Sequence, residues 1–241
     1  MQESRLPRSF SISGYDPSIR VAQFAGAVVC IDVFRATTTA VTALALGRQC
    51  YPAVSVEDAE RLRAGLGDAV LAGEVRGVMP PSFQLQNSPT ELMQRTDTER
   101  PVVLLSSSGT QLLRAVEGTA PMYVACFRNR SAVAARIVEA GHEHVDLLGA
   151  SSRGEFREED QLCSARIAAQ LVAVGYAPAD DATGEIVERW SAAPVEDVLV
   201  SHSVEYLRRT GQGADVEFVL AHDDDVPTAF TLSGGQIVQA A

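Results

Sequence analysis

Asp32 and Arg35 follow the apolar run 27–31, AVVCI, within four residues, and three hydroxyls in a row, Thr37, Thr38 and Thr39, come directly after them. The apolar run has the length and β-branched content of a buried strand. The segment after the threonines, 40–46, has helical spacing and stops at Gly47. A charge pair with a hydroxyl cluster at such a handover can hold a phosphate. The first N–H groups of a helix are free there, and the dipole favours an anion. The same residues also read as an ordinary N-cap threonine beside a surface ion pair. A second copy of the pattern follows: the apolar 102–105 runs into Ser106-Ser107-Ser108-Gly109-Thr110 and then the helical QLLRAV.

Asp32, Glu74, Glu159 and Asp160 are oxygen donors, a ligand type that suits Mg²⁺ rather than zinc. Carboxylates for a hard cation, Arg for charge, and hydroxyls and N–H groups for oxyanions together imply metal-assisted phosphoryl transfer or hydrolysis. Each part has a plainer reading: turn serines at 106–108, and a solvated helix start at 155–160. No GxxxxGK[ST], GxGxxG or GxSxG occurs, so P-loop, dinucleotide and serine-hydrolase readings lack their usual support.

The elements that must position these groups alternate. Strands are expected at 8–13, 27–31, 50–54, 69–72, 102–105, 122–126 and 145–149. Helices are expected between them, with a long one from the acidic run 155–160 to about 174. Pro80 and Pro81 mark an irregular stretch from 77 to 89, after which Ser88 or Thr90 caps a short helix. The tail reads as helical around 195–209 and strand-like at 216–220 and 226–232. This pattern predicts an α/β fold, three-layer α/β/α, with a largely parallel or mixed sheet to which the C-terminal segment adds an antiparallel edge. One domain, 1–241, accounts for it, with 183–241 legible as a subdomain. Ligands in such folds bind beyond the carboxyl ends of the strands, where the polar clusters lie.

A net charge of −11 disfavours nucleic acid and anionic membranes as partners, and it requires local positive charge or a bound cation for any anionic substrate. No secretory signal is visible in residues 1–20 and no run is long enough to span a bilayer, so a cytoplasmic protein is expected. Cys30, Cys50, Cys126 and Cys163 fit no disulfide or zinc pattern and read as small buried hydrophobes. His142 and His144 read as surface residues, and His222-Asp223-Asp224-Asp225 as a solvent-facing loop.

The stretch IDVFRATTTAVTALALG resembles the signature of the ComB family, the Mg²⁺-dependent 2-phosphosulfolactate phosphatases. The likeness recurs at Gly73-Glu74, Asn87-Ser88-Pro89, the 106–110 loop, Asn129, Glu159-Asp160…Cys163 and the tail SVEYLRRTG…DVEFVLAHDDDVP. It implies an α/β fold, hydrolysis of a phosphate ester on a small sulfonated acid, Mg²⁺ and a homodimer. Carried over by position, Asp32, Glu74, Glu159 and Asp160 become candidate metal or acid/base groups, with Asp32, Arg35 and Glu74 as the catalytic set. Thr37–Thr39, Asn87, Ser88, Ser107, Ser108, Gly109, Thr110 and Asn129 become candidate substrate holders. Three departures stand out. The family's TTNGT loop has Ser108 in place of Asn, its GER has Val75 with Arg76 one place later, and its GFDxGNSP has Gln84 for a carboxylate. They leave a second reading beside the phosphatase: a binding or sensor protein that kept the fold and lost the chemistry.

Overall fold

Every residue of the run Ala27–Ile31 is buried, as suits a strand covered on both faces. The computed structural model describes residues 8–16, 24, 26–152 and 154–241, so Pro17 of the turn at 14–17 and Arg153 lie outside the described residues. In chain order the elements are β1 (Ser9–Gly14), β2 (Ala27–Ile31), α1 (Ala36–Ala45), β3 (Cys50–Ala53), α2 (Val56–Leu66), β4 (Val70–Gly73) and α3 (Pro89–Met93). Then come β5 (Val102–Leu105), α4 (Gly109–Val116), β6 (Met122–Ala125), α5 (Arg130–Ala140), β7 (His144–Gly149) and α6 (Glu158–Ala173). The tail holds β8 (Ala177–Pro178), α7 (Asp181–Trp190), α8 (His202–Arg209), α9 (Gly213–Ala221), β9 (Phe230–Ser233) and β10 (Gln236–Gln239).

All ten strands form one mixed sheet, ordered β4-β5-β3-β10-β9-β6-β2-β7-β1-β8. Within each flank the pairings are parallel, as the βαβ reading requires. Helices cover both faces. Val29 and Ile31 pack with residues of α5 and α6 in one core layer, while Val28 and Cys30 pack with residues of α1 and α4 in the other. A third apolar cluster joins α2 to β3, β4 and β5. All four cysteines are buried and free.

The tail's antiparallel strands are present, but they lie in the middle of the sheet rather than at its edge. The hairpin β9–β10 turns on Gly234-Gly235, both at positive φ as a two-residue hairpin demands. It buries Phe230, Leu232 and Ile237 and joins β3 to β6. The segment 216–220, read as strand, is helical. Val216 and Val219 stand three apart and both are buried, so helical period decides over β-branched composition. The acidic loop is also partnered: Asp225 pairs with Arg128 at 2.7 Å, and Asp223 with Arg130 at 2.9 Å. His142 and His144 are half-buried, with His142 Nε2 at 2.9 Å from the Tyr123 hydroxyl.

Candidate functional site

A cavity of about 630 Å³ lies beyond the carboxyl ends of β2, β4, β5 and β7. The segment after β2 lends it Asp32 and Arg35, the loop after β4 lends Glu74 and Arg76, and Asn87 enters just before α3. Ser106, Ser107 and Ser108 follow β5, and Glu159 and Asp160 come from the first turn of α6. Helix α8 forms a wall with His202, Glu205, Tyr206 and Arg209, which are spaced along one helical face.

Not every predicted site residue reaches that wall. Thr37, Thr38 and Thr39 are buried in the turn itself. The Thr37 hydroxyl accepts from the Asp32 N–H at 2.9 Å and donates to the Asp32 carbonyl at 2.8 Å, and Thr38 donates to the Val33 carbonyl at 2.8 Å. These bonds fix the backbone that carries Asp32, so the threonines act on the carboxylate's position. Thr110 does the same for its loop, where it and Ser106 exchange N–H-to-hydroxyl bonds of 2.9 Å each. At Gly109 a Cβ would stand 2.3 Å from Asp32 Oδ2, so only glycine lets α4 begin against that carboxylate. The Asn129 side chain accepts from the Cys126 N–H and donates to the Val124 carbonyl, each at 3.0 Å, and lies off the cavity. Ser88 caps α3 and donates to Asp215 at 2.6 Å.

Glu74 is a staple. Its carboxylate accepts from the Ser107 N–H at 2.6 Å, from the Ser107 hydroxyl at 2.9 Å and from the Gly77 N–H, which locks the β4 and β5 loops together. Asp160 accepts from the Val33 N–H at 2.8 Å and so ties α6 to the Asp32 turn. The Phe34–Arg35 peptide bond is cis. Arg35 makes a 2.6 Å ion pair with Asp215 of α9, and the two side chains are 4% and 2% exposed. Nothing in the sequence announced Asp215, because its segment read as strand; a 3.6-residue period through Val216 and Val219 was the available signal.

Burial dominates the electrostatics. It pushes Asp32 up to about 7, with the neighbouring Glu74 and Glu159 charges adding to the rise. It also raises Glu159, and raises Asp160 well above the usual carboxylate range, with Asp32 and Glu159 pushing in the same direction. Two oxygens beside this group, Glu159 Oε2 and Asn87 Oδ1, are buried without a hydrogen-bond partner among the described residues.

A family model described as 2-phosphosulpholactate phosphatase matches residues 17–228. The chain belongs to this family. Among relatives of this 2-phosphosulpholactate phosphatase family member, a Thermus thermophilus protein is 33% identical over 195 residues, covering 79% of this chain and 81% of its own. A Deinococcus radiodurans protein is 31% identical over 212 residues, covering 82% and 88%. A Pseudothermotoga lettingae protein is 35% identical over 144 residues, where the match spans 59% of this chain and 61% of that protein. All three are named probable 2-phosphosulfolactate phosphatases.

In this family member the departures from the common pattern have distinct fates. Ser108 and Arg76 border the cavity. Val75 instead pairs with Val78 across a tight hairpin, and Gln84 accepts from the Leu71 N–H at 2.7 Å, away from the cavity wall. Six carboxylates face the cavity, Asp32, Glu74, Glu155, Glu159, Asp160 and Glu205, against the four arginines 35, 76, 157 and 209. Among the described residues no three His, Cys, Asp or Glu side chains form a ready-made metal cage.

Proposed function

We propose that the chain is a Mg²⁺-dependent phosphomonoesterase acting on 2-phosphosulfolactate or a closely related small phosphorylated acid. One observation carries this reading: Asp32, Glu159, Asp160, Arg35 and the serine loop after β5 meet at a single cavity in a member of the 2-phosphosulpholactate phosphatase family.

The donor set fits a hard cation. All the candidate ligands are oxygens, Glu159 Oε2 has no partner, and burial, with neighbouring carboxylate charges adding to it, raises the pKa of each. Mg²⁺ commonly takes one or two carboxylates and completes its shell with water and substrate phosphate, so it does not need a three-residue cage. Asp32, with Glu159 or Asp160 as a second ligand, would hold it; Glu74, with three hydrogen bonds already made, serves the loops. When bound, the cation supplies Lewis-acid polarisation of the phosphoryl oxygens and offsets the acidic wall.

The chain's own groups then divide the work. Arg35, held in place by Asp215, presents a fixed positive charge to the phosphoryl oxygens. Ser108 stands at the start of α4, where free N–H groups and the dipole favour an anion, while Ser107 is committed to Glu74. The unpartnered Asn87 Oδ1 can accept a hydrogen bond from a water held in the cavity.

The test is phosphate release from 2-phosphosulfolactate with Mg²⁺. Wild type releases phosphate, and Asp32→Asn lowers kcat/KM at least about a hundredfold, since metal-borne charge stabilisation is worth several kcal/mol. Wild type that hydrolyses neither this ester nor p-nitrophenyl phosphate would make the chain a binding protein on the same fold.

A further inference from the structure

Of the four cavity arginines, two already have a carboxylate partner. Arg35 is paired with Asp215, and Arg157 with Glu155 at 2.6 Å. Arg76 and Arg209 are exposed and have no ion-pair partner among the described residues. The two flank one contact. Val75 and Val78 close a two-residue hairpin through reciprocal backbone bonds of 2.9 and 3.1 Å, with Arg76-Gly77 at its tip. The tip docks on α8, where the Tyr206 hydroxyl donates to the Gly77 carbonyl at 3.3 Å and leaves no room for a Cβ on Gly77. Arg209 is three residues, nearly one helical turn, beyond Tyr206.

The backbone at the tip is informative. Arg76 has φ 52 and Gly77 φ 83, the positive pair that a mirror-image hairpin turn requires. Asn-Gly or Gly-Gly meets that requirement more cheaply than Arg-Gly, because a long side chain is disfavoured in the left-handed region. Arginine is thus held there against local preference, and the loop is pinned to keep it: the Arg76 N–H donates to the Ser107 hydroxyl at 2.6 Å. Conformational cost concentrated in one residue on a cavity wall points to what the side chain binds.

We propose that Arg76 and Arg209 form a second anion subsite, which receives the carboxylate or sulfonate of the substrate while the phosphate lies at the Asp32–Arg35 end. The subsite rests on reading the cavity as a site for phosphorylated acids. It makes this pair a specificity determinant, separating two-headed substrates from simple phosphate esters.

Three probes of one size class test it: 2-phosphoglycolate, which adds a carboxylate; 2-(phosphonooxy)ethanesulfonate, which adds a sulfonate; and ethyl phosphate, which adds neither. Calorimetric Kd values are measured with Mg²⁺ present, on wild type, Arg76→Asn and Arg209→Gln. Wild type is expected to bind at least one acid-bearing ester about tenfold or more tighter than ethyl phosphate, and which one identifies the acid. Arg76→Asn, whose Asn-Gly tip suits the turn better, keeps or raises Tm and shrinks that preference to about twofold. Arg209→Gln, on an exposed helix face, shrinks it in the same direction. A preference unchanged in both variants, no preference in wild type, or an equal loss for all three probes overturns the subsite. Preference without phosphate release from any of them overturns the phosphatase reading and leaves the subsite standing.

Discussion

Asp32 is carried on a turn that Thr37 and Thr38 tie down, against a helix start that tolerates no side chain at Gly109. The result is a buried carboxyl raised from an ordinary value of 3.8 to about 7, with burial the largest cause. The sign of its effect on stability follows. Between those two values the folded chain keeps a proton that the unfolded chain has released, so this group's contribution to stability falls as pH rises, and the loss is complete above about 7. Glu159 and Asp160 shift in the same direction and deepen the effect. A divalent cation favours the ionised carboxylates and reverses the penalty. Saturating Mg²⁺ should therefore raise Tm more at about pH 8 than at about pH 5.5, and Asp32→Asn should flatten that difference. Scanning calorimetry at the two pH values checks it; an equal gain at both would contradict a cation bound to these carboxylates.

Asp215 shows what one carboxylate does for the elements around it. It sits on α9, pairs with Arg35 at the start of α1, accepts from Ser88 at 2.6 Å, and takes the Thr90 N–H of α3 at 3.2 Å. Asp215→Asn leaves the Arg35 guanidinium buried without a counter-charge. The variant should lose about 3–5 kcal/mol in urea unfolding, against about 1 kcal/mol for removing the α3 cap with Ser88→Ala. A loss below about 1 kcal/mol for Asp215→Asn would mean the pair is not what holds these helices together. The same carboxylate marks where sequence reading stops. The alternation from β2 to α6 was legible because the strands are short apolar runs and α2, α3, α4 and α6 open on Ser55, Ser88, Ser108 and Glu158. Asp32, Arg35, Glu74, Asn87 and Glu159-Asp160 were legible as polar residues at strand ends or helix starts. Asp215 lies 180 residues from Arg35, in a Val/Phe/Leu-rich helix that composition reads as strand. The roles of Thr37, Thr38 and Thr110 were hidden for a different reason, since a hydroxyl's spacing does not say whether it faces a ligand or its own backbone.

Across the whole molecule the decisive feature is the hairpin in the middle of the sheet. Three successive antiparallel pairings, β3 with β10, β10 with β9 and β9 with β6, make the two parallel flanks run in opposite senses. Glu74 and Asp32, from the two flanks, nonetheless border the same cavity. A chain of net charge −11 gathers six carboxylates around the cavity, and the proposed cation would offset them. The most direct measurement is anomalous diffraction from crystals soaked with Mn²⁺, a hard oxygen-seeking stand-in for Mg²⁺, together with inorganic phosphate. One strong Mn²⁺ peak is expected at Asp32, with Glu159 or Asp160 as a second ligand, and a phosphate between it and Arg35. Saturating Mn²⁺ bound elsewhere, with this cavity empty, would contradict it.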